Sequence, residues 1–457
     1  MPVELTERQL RDAIAVIGER HEHGGQAAES ALGWLGWEGE GPLLLRRYDV
    51  QQFAWYTLPR KFLTDLEDKR QTAELVALTL DQLGDTARAY AEVCRSHDTD
   101  ELLRAWENED PAAWQRFREL LDASGLEPPD NDLLAWGRVL GFDEARVRDL
   151  VATSLEQAIE DGRLTPGARG FRRARDEIAD AALLEPWEDD PRRSRLQAVH
   201  AERLDRWVKR GSARGSAERD AIIEPGLPLL AEEPATVDPV AVRAALEPVL
   251  WLLNRAASGI ALTQTGALNR ALVREVATRW PSWWPADLFG APNREDDVTL
   301  LAELHELLRR LGLRRRTGRR LTATRRARAL AADPPALLRA LTRPLVADDS
   351  FDAACCELAV ALILNDATAD YTSSLANHVY PAIIAAGWHA DGKPPEREHV
   401  SWAIADLLRP AEALCLLEPA PGDTRLRSGP LILSEIGRAA LTDALRARAL
   451  APVHGPY

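Results

Sequence analysis

The chain has 457 residues, 46% hydrophobic and 28% charged, and its 57 lysines and arginines against 72 acids leave a net charge of −15. That length allows two to four domains, and that composition builds cores rather than a disordered chain. No run approaches the roughly 18–20 apolar residues of a membrane span, the polar opening MPVELTERQLRD is no secretory signal, and an acidic body as a whole does not invite nucleic acid, so a cytoplasmic protein is expected.

The charge is unevenly placed. Residues 1–235 carry 47 acids against 31 bases, and residues 236–457 carry 25 against 26. A basic patch in the second half would therefore not be cancelled within its own domain. Only Lys61, Lys69, Lys209 and Lys393 are lysines, so arginine dominates the cations throughout, as GC-rich coding gives. Cys94, Cys355, Cys356 and Cys415 form no C-x-x-C pair and read as buried thiols of a reducing compartment.

The first half reads as short helices. Thr6-x-x-Gln9 and Thr64-x-x-Glu67 are capping-box patterns. Asp110-Pro111 and Asp238-Pro239 each place an N-cap acid before proline. Leu75–Leu83 has the spacing of a buried helix, and Pro111–Ser124 and Asp143–Asp161 follow as helices around a loop at 126–132. PLLLRRYDV (42–50) is a candidate strand. EPWEDDP (185–191) is an acidic turn, Arg193–Arg210 a helix, and the proline-rich 225–235 a linker. The division expected is an acidic helical domain (1–184), a connector (185–237) and two further units (238–345 and 346–457).

Those two units share an order of elements. Asp238 caps a helix through AVRAALEPVLWLLNRA, followed by an extended piece at 260–266 and a helix with Leu268, Leu272, Val276 and Trp280 on one stripe. A third helix begins at Arg294-Glu295-Asp296-Asp297 and ends at Gly312. The stretch 313–324 then alternates as a hairpin with Gly318 at its turn, and RRARALAAD closes the unit. Residues 350–449 repeat the plan, with a third helix stopped by Pro410 and a hairpin whose tip is PGD (421–423). Trp280 matches Trp388, and Leu307-Leu308 matches Leu407-Leu408. Helix–strand–helix–helix–hairpin is the winged-helix order, so the expected class is mainly α: a helical N-terminal domain, then two tandem winged-helix-like units with short β-hairpins.

LTQTGALNRALV (262–273), NREDD (293–297) and LLRRLGLRRRTGRRLTATRRARALAADP (307–334) resemble a C-terminal region shared by uncharacterised proteins of high-GC bacteria. LPRKFLTD (58–65) and LTPGARGF (164–171) are similar to other hypothetical proteins of the same bacteria. The resemblance covers about a fifth of the chain and implies a module but no activity.

Arg309, Arg310, Arg314, Arg315, Arg316, Arg319, Arg320, Arg325, Arg326 and Arg328 fall within twenty residues, along the end of the third helix, the wing and the closing helix. Guanidinium groups suit bidentate phosphate contacts, and a wing of them would grip a DNA backbone with counterion release. Against base reading, the third helix opens with carboxylates and carries Glu303 and Glu306. A hairpin neutralised by the acidic half, or merely solvated, is the competing reading. Trp280, Trp283 and Trp284 read as core and loop anchors, or as a patch for a protein partner or self-association. His21 and His23 lack further ligands for a metal, EPWEDD lacks the rhythm of a calcium loop, and no P-loop, G-x-G-x-x-G or G-x-S-x-G occurs. No cofactor and no membrane is expected. The expected function is a non-enzymatic binding or regulatory protein that contacts nucleic acid backbone through its wing. The alternative is a protein–protein adaptor built on tandem winged helices, and a hydrolase with scattered carboxylates is a third class.

Overall fold

A computed structural model describes residues 2–21, 24–209, 217–232, 237–347, 350–366, 368–369, 372–389, 392–420 and 430–454. Among them are twenty-four α-helices, numbered α1–α24 in chain order, and eight short strands in three antiparallel sheets. The protein is mainly helical. The chain divides into two compact units, Met1–Glu202 with Pro452–Pro456, and Arg203–Ala451.

The first unit starts with β1 (Val3–Leu5), paired with β2 (Leu43–Leu45), and α1 (Glu7–Arg20), whose Thr6/Gln9 capping box is complete. Of the apolar run 42–50 only Leu43–Leu45 is strand. The Asp49 carboxylate accepts the Arg46 N–H (3.1 Å) and starts α3 (Arg47–Gln52) instead. At α5 (Leu66–Asp81) the cap is Asp65, one residue after the expected Thr64, because its carboxylate reaches the Asp68 N–H at 2.9 Å. Asp110 caps the turn before α8 (Ala113–Ser124), accepting from the Ala112 N–H at 2.8 Å, so that helix begins two residues late. Behind these elements α6 (Asp85–Arg95) and α9 (Phe142–Glu160) are joined by the Tyr90 hydroxyl on buried Glu156.

The second unit begins with the rest of α11 (Arg195–Lys209), α12 (Ala217–Ile223) and α13 (Leu227–Ala231). The proline-rich stretch is therefore partly helix, because Ile222, Ile223 and Leu230 are buried and reward ordering it. Asp238 caps α14 (Pro239–Ala245) as expected, but the helix breaks at Leu246. Pro248 takes the first turn of a new helix, α15 (Glu247–Ser258), where its missing N–H does no harm. Then come β3 (Ile260–Ala261), α16 (Arg270–Arg279) capped by Asn269, α18 (Thr299–Arg310), β4 (Arg314–Thr317), β5 (Arg320–Ala323), α19 (Arg325–Ala332) and α20 (Pro334–Thr342).

The order recurs in α21 (Phe351–Asp366), β6 (Thr368–Ala369), α22 (Thr372–Ala385), α23 (Arg397–Ala413), β7 (Leu417–Pro419), β8 (Leu431–Leu433) and α24 (Glu435–Ala449). The two small sheets have corresponding strand orders, β3-β5-β4 and β6-β8-β7. Pro410 does not stop α23, which runs on to Ala413. The Pro410 carbonyl still accepts from Leu414 at 2.9 Å, so only the bond its own nitrogen would donate is lost. The expected hairpin tip at 421–423 lies outside the described residues.

One hydrophobic core runs without a break from Leu204 to Ala449. Within it the two third helices, α18 and α23, pack on each other, and Arg409 reaches Glu303 across them at 3.7 Å. Burial pushes the Glu303 carboxyl up, against the pull of Arg409. A buried triad, Arg219–Glu357–Arg448 (2.6 and 3.3 Å), ties α12, α21 and α24 together. Removing Glu357 alone would take from two largely buried guanidinium groups the carboxylate they share.

Candidate nucleic-acid interface

The arginine hairpin is fixed at both ends by local backbone chemistry. At the end of α18, Gly312 takes φ 64 and donates to the Arg309 carbonyl (3.0 Å), while Leu313 donates to that of Leu308 (2.9 Å). This is the Schellman pairing, completed by two buried leucines in its C3 and C″ places. At the tip, Gly318 (φ 58) fills the first of two loop positions, as type II′ hairpins require. Leu321 opposes Arg316 across the ribbon and Ile260 on β3, and it anchors the inner face at 1% exposure.

On this frame nine of the ten arginines are exposed, and Arg314 is half-buried. Among the described residues only Arg309 has an ion pair, with Glu306 one turn earlier on the same helix. Arg310, Arg315, Arg319, Arg325 and Arg328 have no side-chain partner there. The remaining four lean on backbone carbonyls: Arg314 on His305 (3.3 Å), Arg316 on Gly318 (3.0 Å), Arg320 on Ser258 (3.2 Å) and Arg326 on Leu311 (3.4 Å). A carbonyl orients a guanidinium without cancelling its charge. Burial lowers the pKa of Arg314, opposed by Glu306.

Two glycines make room for these contacts. A Cβ on Gly266 would stand 2.4 Å from Arg316 Nη1, and one on Gly259 would stand 2.9 Å from Arg320 Nη2. Both have positive φ, at 94 and 87. Sequence reasoning did not single out Gly259, and met Gly266 only within the LTQTG opening, with no role assigned to it. Their partners across the sheet are defined only once β3 pairs with β5.

The acidic motif at the third helix has a structural part. Helix α18 starts at Thr299, and 295–297 form a separate 3₁₀ turn. Asp297 accepts from the Asn293 and Arg294 N–H groups, both at 2.8 Å, and these bonds hold its pKa down. Glu295 turns inward, is 7% exposed, and accepts the Leu268 N–H (2.6 Å) while facing His305 Nδ1 (2.5 Å). Only Thr299, Arg309 and Arg310 of α18 are exposed.

The three tryptophans separate. Trp280 stacks on Trp283 (centroids 5.3 Å), with Trp251 edge-on to Trp280, and Trp283 is buried. Trp284 instead donates from Nε1 to the Gly290 carbonyl (2.6 Å) and leans on Phe289. Phe289 and Leu288, which the sequence did not mark, are exposed beside it.

Elsewhere the candidate groups have other partners. Glu188 and Asp189 of the acidic turn hold Arg146, which lies over Trp187. Of the histidine pair, His23 lies outside the described residues. No cluster of three or more His, Cys, Asp or Glu among the described residues could hold a metal. A cavity of about 1070 Å³ in the first unit is lined partly by Asp122 and Glu127, but Arg175, Arg118 and Arg148 already hold them.

The fold and site together define a mainly helical protein with an exposed, largely uncompensated arginine hairpin. A family model described as the Y4jL N-terminal domain matches residues 242–336, the stretch holding all ten arginines and the three tryptophans. No curated protein and no solved structure matches the chain.

Proposed function

We propose that 238–345 and 346–457 are tandem winged-helix-like units, and that the protein is a non-enzymatic binding or regulatory protein whose arginine wing grips nucleic acid backbone. The observation that carries this reading is the ridge from 309 to 328, with ten guanidinium groups and a single ion pair, to Glu306. The shared strand order and the helix–strand–helix–helix–hairpin sequence support the winged-helix assignment. Helix α18 has three exposed residues in twelve and lies against α23, so it has no face to offer a major groove. Binding is then to phosphates, without base reading.

The test is retardation of duplex DNA across a salt series. Engagement of five wing arginines gives a log–log slope of roughly −4 to −5, and replacing Arg314, Arg315, Arg316, Arg319 and Arg320 with alanine removes most of it. Absence of retardation at about 50 mM salt sinks the reading, since backbone contacts are strongest there. The adaptor reading draws on Leu288, Phe289 and Trp284, an apolar group at the surface. It predicts co-purification with a partner chain, lost on Phe289→Asp, with the wing variants unaffected.

A further inference from the structure

Six tryptophans of this chain, Trp37, Trp106, Trp187, Trp207, Trp251 and Trp280, each carry an arginine guanidinium over the ring, at 4.6–5.7 Å from the centroid. A different arrangement is found in a cavity of about 470 Å³ lined by the start of α21, by Trp388 and His389 after α22, and by α23 from His399 to Asp406. Its aromatic walls are Phe351, Trp388 and Trp402, and among the described residues no lysine or arginine lines it. Among the described residues no cation stands over Trp388 or Trp402, and Trp402 is 64% exposed.

Two carboxylates, Asp352 and Asp406, line the same cavity. Both are exposed, and neither has an ion pair or a side-chain hydrogen bond among the described residues. The imidazoles there are already engaged: His399 Nδ1 accepts the Glu396 N–H (3.1 Å), and His389 Nδ1 bonds the Gly387 carbonyl (2.6 Å). The His399 ring packs edge-on to Trp402 (centroids 5.4 Å) and Phe351 to Trp388; the indole surface left open beside carboxylates without an ion pair among the described residues attracts a positive charge from both terms at once.

From this we infer that the cavity is a binding site for an organic cation, specifically a quaternary or alkylated ammonium group. Phe351 and Trp388 cross at 79° with centroids 5.9 Å apart. In this edge-to-face contact the two rings brace one aromatic wall, whose open π surface suits a rounded, weakly hydrated charge. A quaternary ammonium has no N–H to donate, so it also needs no acceptor geometry from Asp352 and Asp406, which supply charge alone. The inference does not depend on the arginine wing or on DNA binding.

The experiment titrates the full chain with choline by calorimetry and tryptophan fluorescence, using uncharged 3,3-dimethylbutanol as the shape control. Choline binds saturably and the neutral isostere at least about tenfold more weakly. Trp402→Ala and Asp406→Asn each weaken choline by roughly three- to thirtyfold, while far-ultraviolet circular dichroism is unchanged. Equal binding of choline and its isostere, no saturable choline binding, or undiminished affinity in both variants overturns the inference. A second arm uses a short neutral peptide carrying one trimethyl-lysine. Tighter binding than choline places the ammonium on a protein chain, and equal or weaker binding makes it a free small molecule. Both results support the chemistry of the site.

Discussion

Cys94, Cys355 and Cys356 are buried and Cys415 is half-buried. Burial pushes the Cys94 and Cys355 thiols up to about 12, so neither forms the thiolate that reacts. Native protein at pH 8 should therefore release at most one equivalent from a disulfide reagent, and four after unfolding in guanidinium. Rapid release of two or more from the native state contradicts the burial described. This much was legible in the sequence, because Cys355 and Cys356 stand in an apolar run. Gly266 was not. Its value lies in a φ of 94 and in the Arg316 guanidinium that occupies its missing Cβ. Gly266→Ala should cost about 1 kcal/mol from backbone strain, read as a lower denaturation midpoint. It should also weaken DNA binding by displacing Arg316.

At the scale of elements, the loop between α16 and α18 depends on Glu295. Its two oxygens serve the Leu268 N–H and the His305 ring, all inside the core. Glu295→Ala leaves both groups buried without that partner and should cost about 1–3 kcal/mol. Hydrogen exchange should show the Leu268 amide losing protection first, and unchanged protection there would contradict the assignment. The sequence marked this acidic motif but placed it at the helix start facing outward. One-dimensional periodicity cannot tell an inward carboxylate from a solvated one, because the deciding groups lie 27 residues earlier and 10 later. Helix existence was readable from capping and spacing. Helix ends were not, because Pro248 starts a helix and Pro410 rides within one according to which carbonyls remain free. The hairpin at 314–323 was plain, since Gly312 and Gly318 each fill the place their turns demand.

For the second unit as a whole, the continuous core from Leu204 to Ala449 makes the two repeats one cooperative body. Denaturation read near Trp251 in the first repeat should coincide with that read near Trp388 in the second. Leu304→Ala on α18 should lower both midpoints together by the roughly 2–5 kcal/mol of a core truncation. Independent transitions would show that the repeats fold separately. The repeat itself was legible as an order of elements, while the docking of α18 on α23 was not, since no local pattern reports which apolar stripe meets which. That docking carries a further consequence. The same element from each copy covers its counterpart, so a protein holding just one copy would leave that flank bare to water. Here the third helix of each half shields the other within one polypeptide, so exposing that flank by cutting the chain between them should turn a buried seam into an aggregation-prone surface.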